Sequence, residues 1–159
     1  MTSTKTDILL VEDSQEDADL AMHALRAENL ANNILIVRDG EEALDFLFCR
    51  GAFADRSFDQ PPKLVLLDLK LPKVDGIEVL RQLKHDARTK AIPVVILTSS
   101  KEEPDLVHGY DLGANSYIQK PVDFDQFRKT VKTVGLYWMV INQRPTVVAA
   151  KKSAGQGLA

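Results

Sequence analysis

Four aliphatic runs constrain this chain more than any other feature: Ile8-Leu9-Leu10-Val11, Ile34-Leu35-Ile36-Val37, Leu64-Val65-Leu66-Leu67 and Val94-Val95-Ile96-Leu97. Each is too short for a buried helix and too continuous for a strand with one wet face. Each therefore reads as a strand buried on both faces. A shorter fifth strand is expected over 115–118. Helical patterns fill the gaps. Ala18, Ala21, Met22 and Leu25 recur at i, i+3, i+4 and i+7 behind Ser14, a plausible N-cap, with Glu16 and Asp17 where the helix dipole favours acids. Further helices are expected over 41–49, over 76–84 with Ile77, Leu80 and Leu83 buried, more weakly over 103–112, and from Asp123 to about residue 141. Strict alternation of strand and helix predicts an α/β fold, a doubly wound parallel sheet with helices on both faces.

Between the second helix and third strand lies "RGAFADRSFDQPPK", with no period and a Pro-Pro that forbids a central strand. A loop of that length in an α/β domain is either mobile or specialised. From Arg144 onward the residues are small and polar, and a disordered tail is expected over 144–159. The net charge of -3 and the absence of a basic patch argue against nucleic-acid binding. No apolar run is long enough to span a bilayer and no secretory leader precedes the first strand, so a cytoplasmic protein is expected. Cys49, the only cysteine, reads as a small hydrophobe on a helix beside Phe46 and Phe48. The three histidines lie far apart with no ligand spacing.

The polar residues that stop the strands carry the chemistry. In such a sheet, ligands bind outside the carboxyl ends of the strands, where strand order reverses. The first strand ends at Glu12-Asp13 and the third at Asp68. If those strands are neighbours, three carboxylates converge and need a cation. An all-oxygen site with room for water suits Mg²⁺. The fourth strand adds the Thr98 hydroxyl, and the fifth leads into Lys120-Pro121. Acids, a divalent ion, a hydroxyl and an ammonium together suit phosphoryl transfer, in which the protein supplies a nucleophile, positioning and charge neutralisation. No glycine-rich phosphate loop is present, so a nucleotide is not indicated.

The segments "ILLVEDS", "LVLLDLKLPKVDG", "IPVVILTSS" and "GANSYIQKPVD" resemble the signature segments of the response-regulator receiver domain. The resemblance covers roughly residues 6–141, and a receiver domain is expected over 6–143. It implies a flavodoxin-like, five-stranded sheet in order 2-1-3-4-5 flanked by five helices. By position it implies that Asp68 is the phosphoacceptor and that Asp13 and Glu12 hold Mg²⁺, Glu12 through water. The backbone carbonyl of Lys70 completes the ligands. Thr98 is then the switch hydroxyl, Lys120 the partner of the phosphoryl oxygens, Tyr117 the aromatic switch residue, and the bond before Pro121 is cis. Ser99 stands where the family usually has alanine. The long loop and "VGLYWMVINQRP" are similar to regulators paired with bacterial phytochrome histidine kinases. The implied function is a single-domain response regulator of a two-component system, not an enzyme turning over an external substrate. The alternative is a phosphorylation-independent adaptor with the same fold.

A last reading concerns assembly. Phe124, Phe127, Val131, Val134, Trp138 and Ile141 form one apolar seam along the final helix, enough to dock it on the sheet. Leu136, Tyr137, Met139 and Val140 remain on other faces. A homodimer is expected there, together with the face made by the 103–112 helix and the fifth strand.

Overall fold

The computed structural model of the chain describes residues 5–26, 33–98 and 111–133. Its elements are β1 (Ile8–Val11), α1 (Gln15–Arg26), β2 (Ile34–Val37), α2 (Gly40–Leu47), a 3₁₀ turn (Gly51–Phe53), β3 (Leu64–Asp68), α3 (Gly76–His85), β4 (Val94–Thr98), β5 (Ser116–Gln119) and α4 (Phe124–Thr133). Residues 103–110 of the helix expected over 103–112, the residues Ser99 and His108, the last helix beyond 133 and the tail over 144–159 lie outside the described residues. None of the described helices is long and apolar enough to cross a membrane.

The strands form one sheet in order β2-β1-β3-β4-β5, with every pairing parallel. The two-residue period of a strand sends alternate side chains to opposite faces. Ile8, Leu10, Leu64, Leu66, Val95 and Leu97 meet α1 and α4 on one face, through Ala18, Ala21, Leu25 and Phe127. On the other face Leu9, Val11, Val65, Leu67, Val94 and Ile96 meet α2 and α3, through Ala43, Leu44, Phe46, Val79, Leu80 and Leu83. Each fully buried aliphatic side chain contributes about 1.5–3 kcal/mol, which makes the three central strands a rigid platform. The expectation of full burial fails at β2. Its Ile34, Leu35 and Ile36 are only half-buried, because β2 is an edge strand. In α3 the buried set is Val79, Leu80 and Leu83, and Ile77 is half-buried.

Cys49 is not on a helix. α2 ends at Leu47, and Cys49 follows with φ of 55°, in the left-handed conformation that glycine usually takes there. The Arg50 amide donates to Asp45 O at 2.9 Å and the Cys49 amide to Phe46 O at 3.3 Å, the paired bonds of a Schellman turn. The loop that follows is built rather than loose. The Arg56 guanidinium lies 3.7 Å from the Phe46 ring centroid, and Arg88 lies 4.2 Å from that of Phe58. Phe46 and Phe53 pack edge to face at 5.2 Å. Arg56 also donates to Gln60 O at 3.0 Å and to Phe46 O. A cavity of about 630 Å³ lies between this loop and the start of β2, at the edge of the sheet remote from the strand ends that carry the carboxylates.

Candidate functional site at the carboxyl ends of the strands

Strand order reverses between β1 and β3, so their carboxyl ends open onto a crevice. Val11 pairs with Leu67, which sets Glu12 level with Asp68 as the two chains leave the sheet. The Glu12 amide still donates to Val37 O at 3.0 Å, and its side chain is only 1% exposed. Ser14 then caps α1. Its Oγ accepts from the Asp17 amide at 3.2 Å, and its own amide donates to Glu12 Oε2 at 3.2 Å. Asp68 is the last residue of β3, opposite Leu97, and the Lys70 amide donates to its Oδ1 at 3.2 Å. Thr98 ends β4, and the Lys120 amide donates to its carbonyl at 2.7 Å, placing Lys120 one residue past β5.

The side chains converge on the Lys120 ammonium. It donates to Glu12 Oε1 at 2.9 Å, Asp17 Oδ2 at 3.0 Å and Asp68 Oδ2 at 3.1 Å. Carboxylate oxygens of Glu12, Asp13 and Asp68 lie within 4.8 Å of one another, a spacing that one cation can bridge. All three donors are hard oxygens, which fits Mg²⁺, Mn²⁺ or Ca²⁺ and not a thiolate-seeking ion. The cavity they line with Ser14, Lys70 and Thr98 measures about 180 Å³. Pockets for drug-sized ligands run from about 300 to 1,000 Å³, so this one fits an ion and a phosphoryl-sized group better than a nucleotide.

The charges do not balance. Burial pushes the Glu12 carboxyl up from its ordinary value to about 7, against the Lys120 hydrogen bond that lowers it, and Asp68 adds repulsion. Burial works against the Lys120 ammonium too. Its hydrogen bonds to Glu12 and Asp17, with the field of Asp68, outweigh that and hold its pKa above the ordinary lysine value. Four carboxylates around one ammonium make a site that a divalent ion would stabilise.

Of the residues singled out in the sequence, Glu12, Asp13, Asp68, Lys70, Thr98 and Lys120 line one cavity. Tyr117 does not. It pairs with Ile96 in the sheet and is 44% exposed. The Lys120–Pro121 peptide is cis. Sequence reasoning missed Asp17, read there only as a first-turn acid of α1. Its partner Lys120 is 103 residues away, and no local pattern announces such a pair.

The profile of the response regulator receiver domain matches residues 8–132. The chain is 44% identical over 138 residues to the probable methanogenesis regulatory protein FilR2 of Methanothrix harundinacea, covering 87% of this chain and 86% of FilR2. It is 39% identical over 132 residues to the response regulator Rcp1 of Synechocystis, covering 83% and 88%. Among solved structures, the bacteriophytochrome response regulator RtBRR superposes with a TM-score of 0.78 at 46% identity, over 90% of this chain and 86% of that one. The Mn²⁺-bound form of Rcp1 gives a TM-score of 0.70 at 36% identity, over 93% and 100%. The phosphorylated cyanobacterial phytochrome response regulator RcpA gives 0.70 at 42%, over 86% and 95%. Matched along most of its length, with the same sheet order and an acidic crevice at the switch point, the chain belongs to the response regulator receiver domain family.

Proposed function

We propose that this protein is a response regulator that accepts a phosphoryl group on Asp68 from the phosphohistidine of a phytochrome-type kinase, in the cytoplasm and with Mg²⁺. The carrying observation is the placement of Asp68. It ends a fully buried strand, 3.1 Å from the Lys120 ammonium, with carboxylate oxygens of Glu12 and Asp13 within 4.8 Å of its own. The Mn²⁺-bound Rcp1 and phosphorylated RcpA structures support the same reading for a chain this similar.

In the transfer, an Asp68 carboxylate oxygen attacks phosphorus and forms an acyl phosphate. The P–N bond to the kinase imidazole breaks, and the ring nitrogen keeps the electron pair. When bound, the divalent ion neutralises charge on the phosphoryl oxygens and the carboxylates. Glu12 and Asp13 would hold it with Asp68, and the carbonyl of Lys70, which lines the cavity, is a further candidate ligand. The Lys70 amide fixes the orientation of the Asp68 carboxylate, and Lys120 donates to the incoming phosphoryl oxygens. The chain is itself the species modified and turns over no external substrate. Thr98 is then drawn toward the new phosphoryl oxygens, and Tyr117, exposed before phosphorylation, turns into the space released. A homodimer through the last helix and the face that bears Tyr117 would read this change.

Mass spectrometry of the intact protein with acetyl phosphate tests the assignment. The wild type should gain one phosphoryl group with Mg²⁺ and none in EDTA, and Asp68→Asn should gain none. Undiminished incorporation in Asp68→Asn would move the acceptor elsewhere. No incorporation by the wild type would leave the adaptor reading standing.

A further inference from the structure

We infer that Asp17 is a positioning residue that competes with the phosphoryl group for Lys120, and so sets how readily the phosphorylated state forms and how long it lasts. The inference rests on the phosphoacceptor reading of Asp68.

An ammonium has three N–H donors and no acceptor. All three hydrogen bonds of Lys120 are taken, by Glu12, Asp17 and Asp68, at 2.9 to 3.1 Å. A phosphoryl oxygen on Asp68 can gain a donor from Lys120 only if one of these partners gives way or shares. The three differ in what leaving would cost. The Glu12 side chain is 1% exposed and is tied a second time by the Ser14 amide. Asp68 is 9% exposed and is the point of attachment itself. The Asp17 side chain is 31% exposed and sits on the first turn of α1, where water can solvate a released carboxylate. Asp17 is therefore the exchangeable partner.

Two consequences follow. Before phosphorylation, the Asp17 carboxylate occupies one N–H of Lys120 and so stabilises the unphosphorylated arrangement. After it, the same carboxylate offers Lys120 an alternative partner and adds negative charge beside the phosphoryl oxygens. Both act against the phosphorylated state. Removing the charge while keeping the shape should favour that state, and keeping the charge on a side chain one methylene longer should not.

The experiment compares wild type, Asp17→Asn and Asp17→Glu at saturating Mg²⁺. Affinity for beryllofluoride is measured by NMR titration, and phosphoaspartate half-life by mass spectrometry after removal of acetyl phosphate. Asp17→Asn should bind beryllofluoride about three- to tenfold more tightly and keep its phosphoryl group longer by a similar factor, with Asp17→Glu close to wild type. A second readout needs no metal. In EDTA, the Lys120 side-chain nitrogen resonance should shift in Asp17→Asn, because one charged partner is gone. Unchanged affinity and half-life in Asp17→Asn overturn the inference, as does weaker binding, which would make Asp17 a support for the phosphoryl group. If the wild type takes up neither beryllofluoride nor phosphoryl groups, the phosphoacceptor reading fails first. Normal uptake by the wild type with an indifferent Asp17→Asn sinks only the inference.

Discussion

A carboxylate with 1% of its surface exposed, sharing one ammonium with two other carboxylates, lacks full charge compensation. That is the position of Glu12, and burial followed by the charge of Asp68 raises its pKa to about 7. The sign of the effect on stability is set by proton uptake. With a folded pKa above the unfolded value of 4.5, the folded state binds the extra proton, so stability is highest below that value and falls as pH rises toward 7. The loss should amount to about 1–3 kcal/mol, the upper end corresponding to the full shift and the lower to partial solvation. Other perturbed carboxyls do not blur the window. Hydrogen bonds from Arg81 and from Arg88 hold Glu78 and Asp86 at about 2, so these titrate at lower pH and with the opposite sign. Urea unfolding in EDTA at pH 5 and 7.5 checks this, and Glu12→Gln should flatten the difference. A wild type equally stable at both pH values would mean that Glu12 is ionised throughout.

At the scale of elements, the segment between β3 and α3 is clamped by two glycines from different helices. A Cβ on Gly76 would overlap the carbonyl oxygen of Asp68, and one on Gly40 would overlap that of Val74. The Gly76 amide donates to Leu69 O at 2.8 Å and the Gly40 amide to Pro72 O at 3.3 Å. Lys73, with φ of 68°, reaches Asp39 at 3.6 Å and Glu41 at 3.7 Å. Gly76→Ala should therefore cost about 2–3 kcal/mol by urea unfolding, and should slow phosphoryl uptake because the collision falls on the backbone of Asp68 itself. Gly40→Ala should cost a similar amount and slow uptake less, since its collision falls six residues further on. Equal uptake rates in both variants would deny the segment this role. The sequence hides why these two glycines are needed, because the close approach is tertiary. The 50–63 loop is opaque for the same reason. Its Arg56–Phe46 and Arg88–Phe58 stacks join residues 10 and 30 positions apart and leave no period to read.

Across the whole molecule, the parallel sheet was legible because strands buried on both faces must be written in uninterrupted aliphatics, and the strand-end residues stood out by breaking those runs. Glu12, Asp68 and Thr98 were visible that way and Lys120 by its place after the short fifth strand, whereas Asp17 sat among ordinary helix-start acids. The half-exposure of β2 was invisible, because edge position depends on strand order and not on the strand's own residues. Assembly is the remaining question at this scale. Phe127, in the apolar seam of the last helix, is 0% exposed against the sheet, so the start of the seam is spent on the core. By their spacing in the sequence, Leu136, Tyr137, Met139 and Val140 fall off that seam, and this surplus of apolar residues carries the expectation of a homodimer. A two-fold contact would cover both copies at once, and Tyr117, 44% exposed on β5, lies on the face it would share. Light scattering of the wild type should therefore give a dimer mass at micromolar concentration. Tyr137→Glu with Val140→Glu should give a folded monomer with an unchanged circular dichroism spectrum, because the sequence pattern places neither position in the apolar seam. A wild type that stays monomeric at high micromolar concentration, with and without phosphorylation, would assign these side chains to core packing or to a different partner.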